Sequence, residues 1–224
     1  MLFGNRDKDD ETVVAMLASA LRRDIAFGLL PPDQKLKIEG LRQRYGGSNH
    51  SMRETLRLLS AEGLVEATTQ RGFRVMSATQ QDLEDILFMR LEVEKLGLSR
   101  SMENATVQWE GTVMAAFHAL GHAQRQVQAA PDDVTALEWD DACCTVHKTL
   151  VVASRSPRLI DMAAKFYNQS RRFHLALLRE GRIDFAVREA RQKALCEAVL
   201  AGQTTRALAL LEEEIRQDLG EQSI

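Results

Sequence analysis

The most constraining stretch of the chain is residues 48–75, SNHSMRETLRLLSAEGLVEATTQRGFRV, because its apolar period changes once and abruptly. Met52, Leu56 and Leu59 repeat at helical spacing, and Gly63 closes that run with a residue suited to the left-handed turn that ends helices. Beyond it, Val65, Ala67 and a Thr pair lead through QRG to Phe73-Arg74-Val75. That pattern predicts two short strands around a turn, with Gly72 available for positive φ. Upstream, Val14, Leu17, Leu21 and Ile25 mark a first helix that starts near Thr12 and stops at Gly28, after a polar, frayed residue 1–11 segment. LLPPDQKLK is a connection too proline-rich to continue a helix. Residues 38–45 form a second, shorter helix, GGS a turn, and the Ser48 hydroxyl stands where it caps the third helix. Helix, helix, helix, hairpin is therefore the order between residues 12 and 75.

Charge separates this segment from the rest. Residues 12–75 hold ten Lys and Arg against six Asp and Glu, whereas residues 76–224 hold seventeen against twenty-two. A mildly basic module joined to an acidic remainder suits a polyanion-binding unit attached to something else, although the net charge of −3 alone points to no such partner. Aromatic residues make up only 5%, and Leu and Ala outnumber Val and Ile, which favours helix over sheet. Three cysteines, Cys143, Cys144 and Cys196, are too few for a disulfide framework and fit a reducing compartment. MLFGNRDKDDE lacks the apolar run of a signal peptide, and no stretch of about 18 apolar residues occurs, so the expectation is a soluble, cytoplasmic protein with no membrane partner.

The order of elements is that of a winged helix-turn-helix. In such a module the third helix enters the major groove and the hairpin brings a second cationic point to the DNA backbone. The residues placed to make contact are Ser48, Asn49, His50, Arg53 and Arg57 on the third helix, with Arg71 and Gly72 in the wing. Taken alone, Arg53 and Arg57 are also what a solvated helix face carries; the wing and the spacing between elements decide for DNA.

LLPPDQKL, YGGS, MRETLRLLSAEGLVEATTQRGFRV together resemble the GntR family of bacterial transcription regulators. Ser48, Arg53, Glu54, Leu56, Glu62, Gly63, Leu64, Val65, Arg71, Gly72 and Val75 fall in register with that family's pattern. The departures are Gly47 for its usual Val, Asn49 for Arg, Ser51 for Pro and Thr55 for Ala. Replacing an Arg by Asn49 implies weaker phosphate affinity or a changed operator.

SATQQD reads as the junction, with residues 77–79 as linker and Thr79 and Asp82 as a capping-box variant that starts a new helix. From residue 80 to 224 the pattern is helical throughout. The predicted segments are 80–102, 107–128, 134–154, 157–179, 184–201 and 204–219, a six- or seven-helix bundle. The fold class is thus mainly α: a winged helix-turn-helix over 12–76, then an all-α domain over 80–224.

The second domain resembles the FadR subfamily's helical ligand-sensing domain, called FCD. Arg90 and Glu94 match its R-x-x-x-E, and VHKTLVVASRSPRL and ALCEAVLAGQTTRALALLEEEI match two further signatures. Many such domains hold a divalent metal, zinc or nickel, with one Asp or Asn and three His. Those four positions fall on Cys143, His147, Gln192 and Glu214, of which only His147 is the usual ligand type. Cys143, His147 and Glu214 are chemically able to bind a metal, and Gln192 is a poor ligand. His174 is a substitute candidate. A metal-free polar pocket is the favoured reading. The resemblance also implies a small anionic effector, for which Arg90 is the leading carboxylate clamp and Arg171 and Arg172 are further candidates. Trp139, Met89 and Cys144 read as core.

Together these features predict a homodimeric regulator that binds a palindromic DNA operator under the control of a small carboxylate metabolite, and no enzyme activity. Two alternatives stand beside it: a helical metal-dependent hydrolase using Cys143, His147 and Glu214, and a DNA-binding dimer whose second domain senses nothing.

Overall fold

The computed structural model describes residues 6–68 and 72–218. The chain divides into two compact units, residues 1–82 and 83–224. Their boundary lies a few residues beyond the predicted linker, inside the first turn of the helix that Thr79 and Asp82 cap.

In the first unit the helices are α1 (Arg6–Ala26), α2 (Ile38–Tyr45) and α3 (Asn49–Ala61), with strands β1 (Lys35–Leu36), β2 (Val65–Thr68) and β3 (Gly72–Val75). Two sequence expectations are corrected here. Helix α1 begins at Arg6, so part of the segment read as frayed is helical. The proline-rich connection also contains a strand: Lys35 and Leu36 pair antiparallel with Arg74 and Phe73, which makes the sheet three-stranded in the order β1-β3-β2. Two paired residues flanked by prolines and charges leave too short an alternation to be read from sequence.

Helix α1 packs on α3, α2 on α3, and α3 on β2. Leu17, Leu21 and Ile25 meet Met52, Leu56 and Leu59, and the sheet contributes Leu36, Val65 and Val75 to the same core. Helix α3 ends as predicted. Gly63 takes φ +73°, and the amides of Gly63 and Leu64 donate to the carbonyls of Ser60 and Leu59, which satisfies two carbonyls left over at the helix end.

The second unit contains α4 (Gln80–Glu103), α5 (Val107–Ala129), α6 (Asp133–Val152), α7 (Pro157–Arg179), α8 (Phe185–Leu200) and α9 (Thr204–Asp218). All six predicted helices are present, with ends shifted by at most two residues. The cap of α4 is a reciprocal one: the Asp82 amide donates to Thr79 Oγ1 at 3.1 Å, and the Thr79 amide donates to the Asp82 carboxylate at 2.9 Å. Helix α6 packs on both α5 and α7, and α8 packs on both α5 and α9. Gly97 of α4 lies so close to α6 that a Cβ there would meet Val151 Cγ1 at 2.5 Å. The absence of a side chain thus permits the approach of the two helices. Around the bundle's interior sit Trp139, Leu150, Leu175, Leu195 and Leu211, all fully buried.

Candidate DNA-reading surface and ligand cavity

The start of α3 is built by its own side chains. The Ser51 amide donates to Ser48 Oγ at 3.0 Å, and the Ser48 amide donates to Ser51 Oγ at 2.9 Å. Ser51, a departure from the family pattern, therefore completes a capping box. Thr55, another departure, is fully buried, and its hydroxyl donates to the Ser51 carbonyl at 2.8 Å, so burial leaves it satisfied. Gly47 takes φ +82°, and a Cβ at that position would lie 3.0 Å from both Leu17 Cδ1 and Ser51 Oγ. The residue that replaces the family's Val is thus required by the local backbone.

With Met52, Leu56 and Leu59 turned to the core, the opposite face of α3 presents Asn49, His50, Arg53 and Arg57 to solvent, with exposed Ser48 at its start. Arg57 is held by Glu54 at 2.5 Å. Arg42, from the end of α2, reaches the same surface: its Nε donates to the Gly47 carbonyl at 3.2 Å and its Nη1 to Asn49 Oδ1 at 3.3 Å. By contrast Arg44 is drawn to the buried Asp24 carboxylate at 2.7 Å, beside the Tyr45 hydroxyl at 2.6 Å. Burial, and the hydroxyl's donation to Asp24, push the Tyr45 phenol well above its ordinary range. Arg22 grips Glu62 with two hydrogen bonds of 2.7 and 2.6 Å, tying α1 to the end of α3.

In the wing, Arg71 lies outside the described residues. Gly72 opens β3 opposite Thr68 and does not take the expected positive φ. Its lack of a Cβ matters sterically instead, since a Cβ would stand 2.9 Å from Thr68 Oγ1.

The second unit concentrates its polar groups inside. Cys143, His147, Gln192 and Glu214, the four positions singled out from sequence, all line one cavity, together with Arg188 and apolar Phe117, Leu120, Val146, Leu150 and Leu195. The periodicity of three separate helices converges here: α6 supplies Cys143 and His147 one turn apart, α8 supplies Arg188 and Gln192 one turn apart, and α9 supplies Glu214. The remaining free space is about 10 Å³, on the order of one water molecule.

Glu214 is the hub. It accepts from Arg191 Nε at 2.5 Å and from Gln192 Nε2 at 2.8 Å, and lies 3.3 Å from Arg188 Nη2. Arg188 Nη2 also stands 3.5 Å from Cys143 Sγ, and its guanidinium covers the Trp139 ring at 5.0 Å. Arg188 is the cavity residue that the sequence reading missed. Its signal was present, because it precedes Gln192 by four residues and so shares its helix face.

His147 is oriented from behind. Its Nδ1 is 2.5 Å from Glu94 Oε2, and Arg90 Nε donates to Glu94 Oε1 at 2.6 Å. Arg90 also donates to Ser170 Oγ at 3.1 Å and covers the Tyr167 ring at 4.7 Å. Burial would raise the Glu94 carboxyl, but the Arg90 guanidinium and His147 outweigh it and hold the acid at about 2. Arg90 does not line the cavity. Where the sequence offers Arg90 as a carboxylate clamp, the structure pairs its guanidinium with Glu94, and the arginine lining this cavity is Arg188. His174 is also absent from the cavity lining. It lies 3.4 Å from Asp140 and 4.4 Å, ring to ring, from Trp139. Arg171 is bound to Asp140 and Asp141, both at 2.6 Å, and the Arg172 guanidinium covers the Phe173 ring at 4.9 Å. Cys144 is buried, and burial pushes its thiol up, consistent with a core residue.

Residues 14–75 match the bacterial regulatory proteins of the gntR family, and residues 85–217 match the FCD domain. The chain is 30% identical over 199 residues to the HTH-type transcriptional repressor GlaR of Escherichia coli (strain K12), which covers 87% of this chain and 89% of GlaR. The chain belongs to the GntR family. As a GntR regulator with an FCD domain, it is a ligand-responsive DNA-binding transcription regulator. The HTH-type transcriptional regulator BphR of Paraburkholderia xenovorans (strain LB400) is also 30% identical over 199 residues, covering 89% of this chain and 80% of BphR. Among solved structures, E. coli McbR/YncC has the same fold with a TM-score of 0.74 at 20% identity, covering 92% of this chain and 95% of that one. A GntR protein of Rhodococcus sp. RHA1 has a TM-score of 0.70 at 21% identity, covering 94% and 99%. Among the described residues no helix is long and apolar enough to cross a membrane.

Proposed function

We propose that this GntR regulator is a cytoplasmic, non-enzymatic homodimer that reads a palindromic operator, and that a small carboxylate metabolite held by Arg188 in a metal-free cavity sets its DNA affinity. The observation that carries this reading is the convergence of Cys143, His147, Gln192 and Glu214 on one cavity with Arg188 among them. Arg188 is buried, always charged and forked, which suits bidentate recognition of a carboxylate. In the resting arrangement Glu214 occupies that guanidinium. An effector carboxylate takes over this contact while Arg191 and Gln192 retain Glu214, and the cavity enlarges to admit it. Because operator affinity changes only if the effector binds two states of the protein unequally, the displacement of Glu214 is the differential contact that the switch uses. The name of the E. coli relative supports repression as the direction of control.

The donor set does not suit a resident divalent cation. Gln192 is a neutral amide, Glu214 is already engaged by two arginines, and a guanidinium 3.5 Å from the Cys143 sulfur puts a positive charge where a cation would sit. Among the described residues no three His, Cys, Asp or Glu side chains gather closely enough to hold a metal ion. The test is metal analysis of untreated protein, followed by thermal shift across a panel of mono- and dicarboxylates on wild type and Arg188→Met. Stabilisation of wild type and none of the variant is expected. A full equivalent of bound zinc or nickel removes the metal-free reading, and equal shifts in both proteins remove Arg188.

A further inference from the structure

We infer that Arg42, a residue of α2 rather than of the recognition helix, is a phosphate contact of the DNA-reading surface, supplying the cation that Asn49 lacks. Asn49 is the first residue of α3 and carries no charge, where the family pattern has Arg. The Arg42 guanidinium is fixed beside it by two hydrogen bonds, from Nε to the Gly47 carbonyl at 3.2 Å and from Nη1 to Asn49 Oδ1 at 3.3 Å.

Those two bonds draw on opposite sides of the guanidinium, Nε–H on one and Nη1 on the other. A guanidinium has five N–H donors, so Nη2 and the second N–H of Nη1 take up no hydrogen bond among the described residues on this exposed side chain. Among the described residues no carboxylate is paired with it. It shares this, among those residues, with Arg53 of α3, whereas Arg44 is paired with Asp24, Arg57 with Glu54 and Arg22 with Glu62. Asn49 thus has a second use, as the acceptor that holds the neighbouring guanidinium at the head of α3. In helix-turn-helix modules the helix before the recognition helix crosses the phosphate backbone, and Arg42 lies at its end next to the turn. A phosphate, not a base edge, is the group within its reach.

The inference is tested by salt-dependent binding of full-length wild type, Arg42→Gln, Arg42→Lys and Arg42→Gln/Asn49→Arg to two labelled duplexes. One has mixed sequence, and the other is selected from a random pool by wild type. Binding of wild type to the selected duplex checks the DNA-binding function by itself. Arg42→Gln keeps a polar side chain for the turn, and its unfolding temperature checks that the module is intact. Expected is a slope of log affinity against log salt shallower by about 0.9 per bound module in Arg42→Gln, a loss of similar fold on both duplexes, and a slope retained in Arg42→Lys. Arg42→Gln/Asn49→Arg should recover the wild-type slope. An unchanged slope in Arg42→Gln overturns the inference and leaves Arg42 as a brace of the turn. A loss confined to the selected duplex also overturns it, because that outcome marks a base contact.

Discussion

The two units of this chain place their charges oppositely. In the first, the core is Leu, Ile, Val and Met, with Asp24 as its one charged residue among those described, and Arg42, Arg53 and Arg57 lie outside. In the second, Arg90, Glu94, Asp140, His147, His174, Arg188, Arg191 and Glu214 are all buried. The contrast follows from the ligand each unit meets. DNA is too large to enclose, so its reader keeps cations in water, where a single charge adds little to stability. A small metabolite is enclosed, so its receptor must bury polar groups and satisfy each from within.

Breaking the buried set should have the largest effect. Glu94→Leu leaves Arg90 without its carboxylate and should cost about 3–5 kcal/mol in denaturant unfolding of the second unit. Arg90→Met/Glu94→Leu should restore most of that loss. A double variant as unstable as the single one would show that the pair does more than compensate itself. Leu56→Ala, fully buried where α3 meets α1, should cost about 2–5 kcal/mol and weaken DNA binding only through unfolding of the first unit. Arg53→Ala should do the reverse, with unchanged unfolding and about 1–3 kcal/mol of operator affinity lost. Full operator affinity in that variant would remove Arg53 from the DNA surface and blunt the contrast between the units. Smallest of these is Ser48→Ala, which deletes one half of the capping box and should cost about 1 kcal/mol, read as a lower unfolding midpoint.

Much of the architecture was legible from local signals. The caps at Ser48 and Thr79, the stop at Gly63 and the stripe Met52-Leu56-Leu59 are short-range features whose physics is complete within one turn of helix. The two-residue strand β1 was not legible, because its definition is its pairing with Arg74 and Phe73 across the sequence. Gly72 was misread for a related reason: a turn signal shows that glycine is needed but not whether φ or a neighbour such as Thr68 requires it.

The site divides the same way. Register with a known family placed Cys143, His147, Gln192 and Glu214 together, and they do share a cavity. It could not say which arginine faces them. Arg90 and Arg188 are both buried on helices; Arg90 pairs with Glu94 one turn on in α4, whereas Arg188 meets Cys143 of α6 and Glu214 of α9 only through the packing of separate helices.

The sequence by itself determined the two-part organisation and, the start of α1 apart, the helix positions to within a few residues, since these rest on local periodicity and capping chemistry. Only the tertiary structure decided which charges are partnered. The partner of a buried charge is set by distances between helices far apart in sequence, as with Arg188 and Cys143, or by the turn between two helices, as with Arg42 and Asn49.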